Sequence, residues 1–84
     1  MEATTRQKKT IVIVDGLRIF VNFFAYEDQV EEIWEYYLDE VHDEEVAQKK
    51  GVNLDSPEDY VDTIPESDIL EALKASEWQE WEDM

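Results

Sequence analysis

The sequence predicts a small single domain of the α+β class, an N-terminal β-hairpin packed against two or three α-helices. Three observations predict it. Residues 10–14 and 17–24 are β-branched and aromatic, and Asp15-Gly16 separates them. Val30, Ile33, Trp34, Tyr37, Leu38 and Val41 then follow at helical spacing. Pro57 and Pro65 mark two shorter segments after that.

The hairpin is argued from its turn. Asp-Gly suits a two-residue type I′ connection, in which both central residues take positive φ. In that register Val14 faces Leu17, Val12 faces Ile19 and Thr10 faces Val21. One face is then Val12, Val14, Leu17, Ile19, Val21 and Phe23. The other mixes Ile11, Ile13, Phe20 and Phe24 with Arg18 and Asn22. A hairpin alone is barely stable, so the first face must be covered.

The stripe from Val30 to Val41 predicts an amphipathic helix from about 28 to about 49. Asp28 is its expected N-cap. Lys49-Lys50-Gly51 is its expected end, with cations on the last carbonyls and then a glycine. Ser56-Pro57 opens a short helix, with Ser56 as cap and Pro57 at its first position. A last helix starts near Pro65 or Ser67 and turns Ile69, Leu70 and Leu73 inward. The expected core is Val12, Leu17, Ile19, Phe23, Ile33, Trp34, Tyr37, Leu38, Val41, Ile69, Leu70 and Leu73, with at least one of Trp78 and Trp81. Residues 1–9 read as a loose basic arm, residues 10–84 as one acidic domain, and residues 76–84 as a frayed helix or acidic tail.

Charge narrows the function. From Glu27 to Met84 there are 21 acids and three bases, a formal charge of −21 + 3 = −18. The apolar share, 43%, is that of a folded protein rather than a disordered one. There is no cysteine, so disulfides, thiolate metal sites and a cysteine nucleophile are excluded. The longest apolar run, Ile11–Val14, is far short of a membrane span, and Met1 is followed by polar residues rather than a signal segment. The acidic balance repels nucleic acid and anionic membranes, so direct binding to either is not expected. These features together fit a reducing compartment such as the cytoplasm.

No reactive set converges. His42 is the only histidine and reads as a solvated side chain among carboxylates. No EF-hand loop and no glycine-rich phosphate loop is present. We therefore expect no enzyme, no catalytic residue, no metal and no cofactor.

What remains is the acidic segment itself. Read as a helix, Glu27–Glu45 holds ten acids in nineteen residues, over roughly 28 Å. A DNA duplex of that length carries about 16 charges, or about 8 on one strand. Solvated helix faces normally intersperse lysine, and Glu27–Gln48 has none. The expected partner-binding residues are Glu31, Glu32, Glu35, Asp39, Glu40, Asp43 and Glu44, with Tyr36 as an aromatic contact. Glu58, Asp59, Asp62, Glu66 and Glu71 form a second candidate surface.

In size and composition the whole chain resembles the small acidic proteins with which bacteriophages and mobile elements block host DNA-binding proteins, among them restriction enzymes and CRISPR effectors. The resemblance implies a nucleic-acid mimic that occupies the groove of a basic DNA- or RNA-binding protein. Those proteins have unrelated folds, so it assigns no residue roles. The alternative is an acidic interaction module, such as an antitoxin or chaperone, for one dedicated basic partner. The sequence leaves a homodimer open.

Overall fold

The computed structural model describes residues 5–83. It is an α+β domain with a four-stranded antiparallel sheet and three helices on one side of it. The strands are β1 (Arg6–Val14), β2 (Leu17–Tyr26), β3 (Gln29–Val41) and β4 (Glu82–Asp83), in the order β3-β2-β1-β4. The helices are α1 (Glu44–Lys49), α2 (Pro57–Val61) and α3 (Glu66–Ala75).

The first hairpin has the expected register, with Val14 opposite Leu17 and Val12 opposite Ile19. Asp15 and Gly16 have φ of 53° and 79°, as the turn requires. Val12, Leu17, Ile19, Val21 and Phe23 are buried, and Val14 packs beside them.

Residues 28–49 do not form one helix. Gln29–Val41 is a strand, and helix begins only at Glu44. Asp28 does not cap a helix; it lies with Glu27 in the turn between β2 and β3, Tyr26 pairing with Gln29. Two physical terms favour the strand. An unbroken helix would set six like-charged pairs four residues apart, Glu27/Glu31, Asp28/Glu32, Glu31/Glu35, Glu35/Asp39, Asp39/Asp43 and Glu40/Glu44. Each costs about 0.2–0.5 kcal/mol. The two of these pairs that lie within β3, Glu31/Glu35 and Glu35/Asp39, stand about 13 Å apart along an extended chain, beyond the Debye length of about 8 Å. The strand also hydrogen-bonds an edge of β2 that would otherwise be open.

The helical spacing of the apolar residues has its own cause. Thirteen residues of β3 pair with ten of β2. The register shifts three times, leaving Glu31, Trp34 and Asp39 as extra residues. Each bulge lengthens the interval between inward side chains. The core-facing residues of β3 are therefore Val30, Ile33, Tyr36, Leu38 and Val41, spaced by three, three, two and three. That spacing imitates a helix while following a bulged strand. The phase error misplaces two core residues. Trp34 is 59% exposed and Tyr37 49% exposed, on the face away from the helices. Ile33 is buried, and Leu38 and Val41 are partly buried, as expected.

The basic arm is also structured in part. Arg6–Lys9 form the first half of β1, since β2 extends to Ala25 and Tyr26 and offers them a backbone partner. Acidic β4 lies on their other side, and Lys8 pairs with Asp83, holding that carboxyl below the usual carboxylate range. The C-terminal segment is not a continuation of helix. A single 3-10 turn, Trp78–Glu80, leads into β4. Trp81 is buried edge-on against Phe23, with ring centroids 4.9 Å apart, and its Nε1 donates to Ser76 Oγ. The expectation for the Trp78 side chain lies outside the described residues.

The helix ends follow their local signals. Lys50 ends α1, Gly51 takes φ of 90°, and the Val52 N–H donates to the Ala47 carbonyl. Ser56 and Pro57 open α2. Pro65 opens α3, which buries Ile69 and Leu73 and partly buries Leu70.

Candidate binding surface

The sheet has two unlike faces. The inner one is the core. The outer one carries Gln7, Lys9, Ile11 and Ile13 from β1, and Arg18, Phe20, Asn22 and Phe24 from β2, by alternation from the buried residues. β3 adds Glu32, Glu35, Tyr37 and Glu40 opposite Phe24, Asn22, Phe20 and Arg18. Tyr37 stacks on Phe20 with centroids 5.1 Å apart, and Trp34 tilts against Phe24 at 6.4 Å. Among the described residues, no helix covers this face.

β3 is an edge strand, so its acids border both the outer face and solvent. Their partners differ. Glu40 binds Arg18 at 2.6 Å, and Asp39 lies 3.7 Å from the same guanidinium. Glu35 accepts from Asn22 Nδ2 at 2.7 Å. Asn22 is itself buried, and its Oδ1 has no hydrogen-bond partner among the described residues. Asp43 caps α1 by accepting from the Val46 N–H, and Glu44 follows in the first turn. Glu31 and Glu32 have no cationic partner among the described residues.

Tyr36 does not belong to this surface. It faces the helices, and its hydroxyl donates to the Ile64 carbonyl at 2.8 Å. Burial, then the charges of Glu66 and Asp62, raise its pKa. A strand sends Tyr36 and Tyr37 to opposite faces, whereas the helix reading had assigned them the reverse.

Of the second acidic set, Glu58 and Asp59 lie in the first turn of α2 and Asp62 ends it, while Glu66 begins α3 and Glu71 follows within it. All five are exposed. The two sets meet at one groove between β3 and α3, lined by Glu31, Glu32 and Glu66 with Ile33 and Leu70. The chain thus joins acids that stand 34 residues apart in sequence, Glu32 and Glu66.

Every acid from Glu27 to Asp83 is exposed. The remaining described acid, Asp15, is half-buried and accepts from the Tyr60 hydroxyl at 2.6 Å. That hydrogen bond, with burial and the carboxylate charge behind it, pushes the Tyr60 phenol up from 10.0 to about 12. The raised value means that the folded state holds the proton more tightly than the unfolded state does. Its contribution is whole below pH 10 and is lost as pH rises through about 12. The stability gap between the native protein and Tyr60→Phe should therefore be constant from pH 7 to 9 and close between pH 10 and 12, measured by urea titration at each pH. A gap that stays open at high pH would separate Tyr60 from Asp15.

His42 is exposed, and its backbone N–H donates to the Gly16 carbonyl. No group of three or more His, Asp or Glu residues is arranged to hold a metal ion among the described residues. Among the described residues, no helix is long and apolar enough to cross a membrane. Comparison with protein-family models, with characterised proteins and with solved structures finds no match for this chain.

The residues that sequence reasoning missed are Trp34 and Tyr37 as surface groups of the outer face. One signal could have found them. Six of the thirteen residues in Gln29–Val41 are Val, Ile, Trp or Tyr, a composition that favours strand.

Proposed function

We propose that this chain is a non-enzymatic inhibitor that occupies the nucleic-acid groove of a basic protein, its carboxylates standing in for phosphates. The observation that carries the reading is the uniform exposure of the acids on an elongated body. The Cα trace measures 49 × 20 × 19 Å and the formal charge is −16. One phosphate strand of that length carries about 14 charges at 3.4 Å each. The match belongs to the whole body. β3 alone holds five acids, Glu31, Glu32, Glu35, Asp39 and Glu40, over about 40 Å, which is less than half the density of a phosphate strand.

The mechanism follows from ordinary electrostatics. A field of one sign speeds encounter with a basic groove, and closer contacts then decide which partner is held. Glu31, Glu32 and Glu44 of the first acidic set, and Glu58, Asp62 and Glu71 of the second, are the acids to test. They are exposed and none anchors the fold through a hydrogen bond or ion pair among the described residues.

The test starts from a protein captured on the immobilised chain from bacterial lysate, challenged with duplex DNA. Mimicry expects DNA to release the captured protein. It also expects Glu31→Lys with Glu32→Lys and Glu44→Lys to slow association about tenfold or more at low salt, with the difference shrinking as salt rises. Capture that survives saturating DNA would sink mimicry and favour a dedicated basic partner, as for an antitoxin or chaperone. Loss confined to Glu58→Lys with Asp62→Lys and Glu71→Lys would move the contact to the helical side.

A further inference from the structure

The outer sheet face is apolar at its centre and acidic at both margins. Ile11, Ile13, Trp34 and Tyr37 are 40%, 53%, 59% and 49% exposed, and they adjoin the half-buried rings of Phe20 and Phe24. Single exposed apolar groups are ordinary, but a contiguous patch marks an interaction site. Glu32, Glu35, Asp39 and Glu40 border it on β3. Glu82 of β4 borders it on the other side, opposite Lys9, and Glu80 lines the same hollow beside Ile11 and Phe20. The two cations of the face do not change its sign. Arg18 is held by Glu40 and Asp39. Lys9 lies between acids in one row across the sheet, Glu35-Asn22-Lys9-Glu82. In the same row Asn22 is buried, and its Oδ1 has no hydrogen-bond partner among the described residues. The face therefore holds an unused acceptor at its centre as well as at its margins.

We propose that this face docks a cationic amphipathic α-helix of a partner protein. The apolar stripe of that helix lies on Ile11, Phe20 and Tyr37, and a row of lysine or arginine runs along each flank. Charge selects the sign of the partner. A second copy would lay acidic margins on acidic margins, and nucleic acid or an anionic membrane would be repelled as well. Lysine and arginine side chains carry donors only, which suits the carboxylates and the open Asn22 acceptor.

Backbone chemistry selects the helix. An extended segment lying flat on a sheet face would hold its N–H and C=O groups unpaired against apolar side chains, at high cost. A helix pairs its own. The dimensions agree. From β3 to β4 there are three steps between strands of about 4.8 Å each, so the backbones at Glu35 and Glu82 stand roughly 14 Å apart. A helix with its side chains is about 10–12 Å across. It fills the strip, and its flanking cations reach the margins while their stems cover apolar surface. Along β2, Arg18–Phe24 extends about 20 Å, the length of about 13 helical residues.

Such docking needs the basic partner proposed above but not its nucleic-acid groove. It therefore stands or falls independently of competition by DNA.

The experiment measures binding of two synthetic fluorescein-labelled peptides to the full chain by anisotropy, at about physiological salt. Both are about 16 residues of leucine and lysine. One places leucine at i, i+3, i+4 and i+7 with lysine elsewhere; the other has the same residues scrambled so that no stripe forms. The patterned peptide should bind about tenfold tighter or more, and should gain helix on binding in far-UV circular dichroism. Trp34→Ala should weaken it about fivefold or more. Glu32→Lys with Glu82→Lys, one acid from each margin, should weaken it about tenfold. Glu58→Lys with Glu71→Lys changes the net charge equally on the helical side and should cost less than about threefold. Thermal melts check that each variant is folded. Equal binding of the two peptides would overturn the proposal, since the field alone would then account for it. So would a bound peptide that gains no helix, or equal losses from the two double reversals. A chain that ignores the patterned peptide up to about 1 mM, or that self-associates through this face instead, would overturn it too.

Discussion

Phe23→Ala should remove about 3–5 kcal/mol of stability, most of what a domain this small has. Marginal stability runs at roughly 0.05–0.15 kcal/mol per residue, which for 84 residues is about 4–13 kcal/mol. Phe23 is fully buried in β2, pairs with Ile33 across the sheet and meets Trp81 edge-on. Its removal deletes a large apolar transfer term and leaves a cavity that two sheet neighbours and a helix must close around. It also unseats Trp81, whose indole closes the C-terminal end of the core. The expected result in urea is a midpoint near zero denaturant, or a chain already unfolded at 37 °C. The contrast is Trp34→Ala, a change of similar size on the exposed face, which should stay within about 1 kcal/mol of the native protein. Equal losses at the two positions would mean that the faces of the sheet are assigned the wrong way round.

The second large effect lies at the hairpin turn. Gly16→Ala should cost about 2–5 kcal/mol, from about 1–2 kcal/mol for a side chain at positive φ and about 1–3 kcal/mol for overpacking. Gly16 sits at φ 79°, and a Cβ there would come within 2.6 Å of the Asp43 carbonyl oxygen and 2.8 Å of the Ala47 nitrogen. Both are backbone atoms of the α1 cap and first turns, so no rotamer relieves the contact. The Gly16 carbonyl also accepts from the N–H groups of His42 and Asp43, which ties the turn to the end of β3. Pushing the two apart breaks those bonds as well. Gly51 is the control. Its φ is 90°, but nothing lies within 4 Å of the added Cβ. Gly51→Ala should cost only the backbone term, about 1–2 kcal/mol. Chemical denaturation of both variants measures the difference, and equal costs would show that the packing at Gly16 adds nothing.

Local chemistry made several elements legible. Asp15-Gly16 has few alternatives to a tight turn between two β-branched runs, and it sets the register of β1 on β2 residue by residue. Gly51 and Pro57 punctuate the chain through backbone constraints that act wherever they stand. The exposure of the acids was legible for a related reason. Desolvating an unpaired carboxylate is costly, and the chain has too few cations to pair them inside.

The candidate surface was legible only in part. The acids of β3 were found, but on the wrong secondary structure, and that exchanged Tyr36 with Tyr37 and Trp34 with the solvent. Three bulges in β3 give its inward residues a spacing close to that of a helix, so periodicity could not separate the two. The choice was made by partners distant in sequence. β2 offered an open edge to the whole of Gln29–Val41, and extension relieved repulsion that a helix would have concentrated.

By itself, then, the sequence determined the α+β class, the first hairpin with its inward face, the chain breaks at Gly51, Pro57 and Pro65, and a surface dominated by carboxylates. Those follow from terms that are local or additive: turn φ, missing N–H groups, apolar alternation and net charge. The tertiary structure decided that Gln29–Val41 is a bulged edge strand, that Trp81 rather than Trp34 fills the core, and that Glu31 and Glu32 share a groove with Glu66. These depend on which backbone edge and which apolar face lie within reach. Only the folded chain sets those distances.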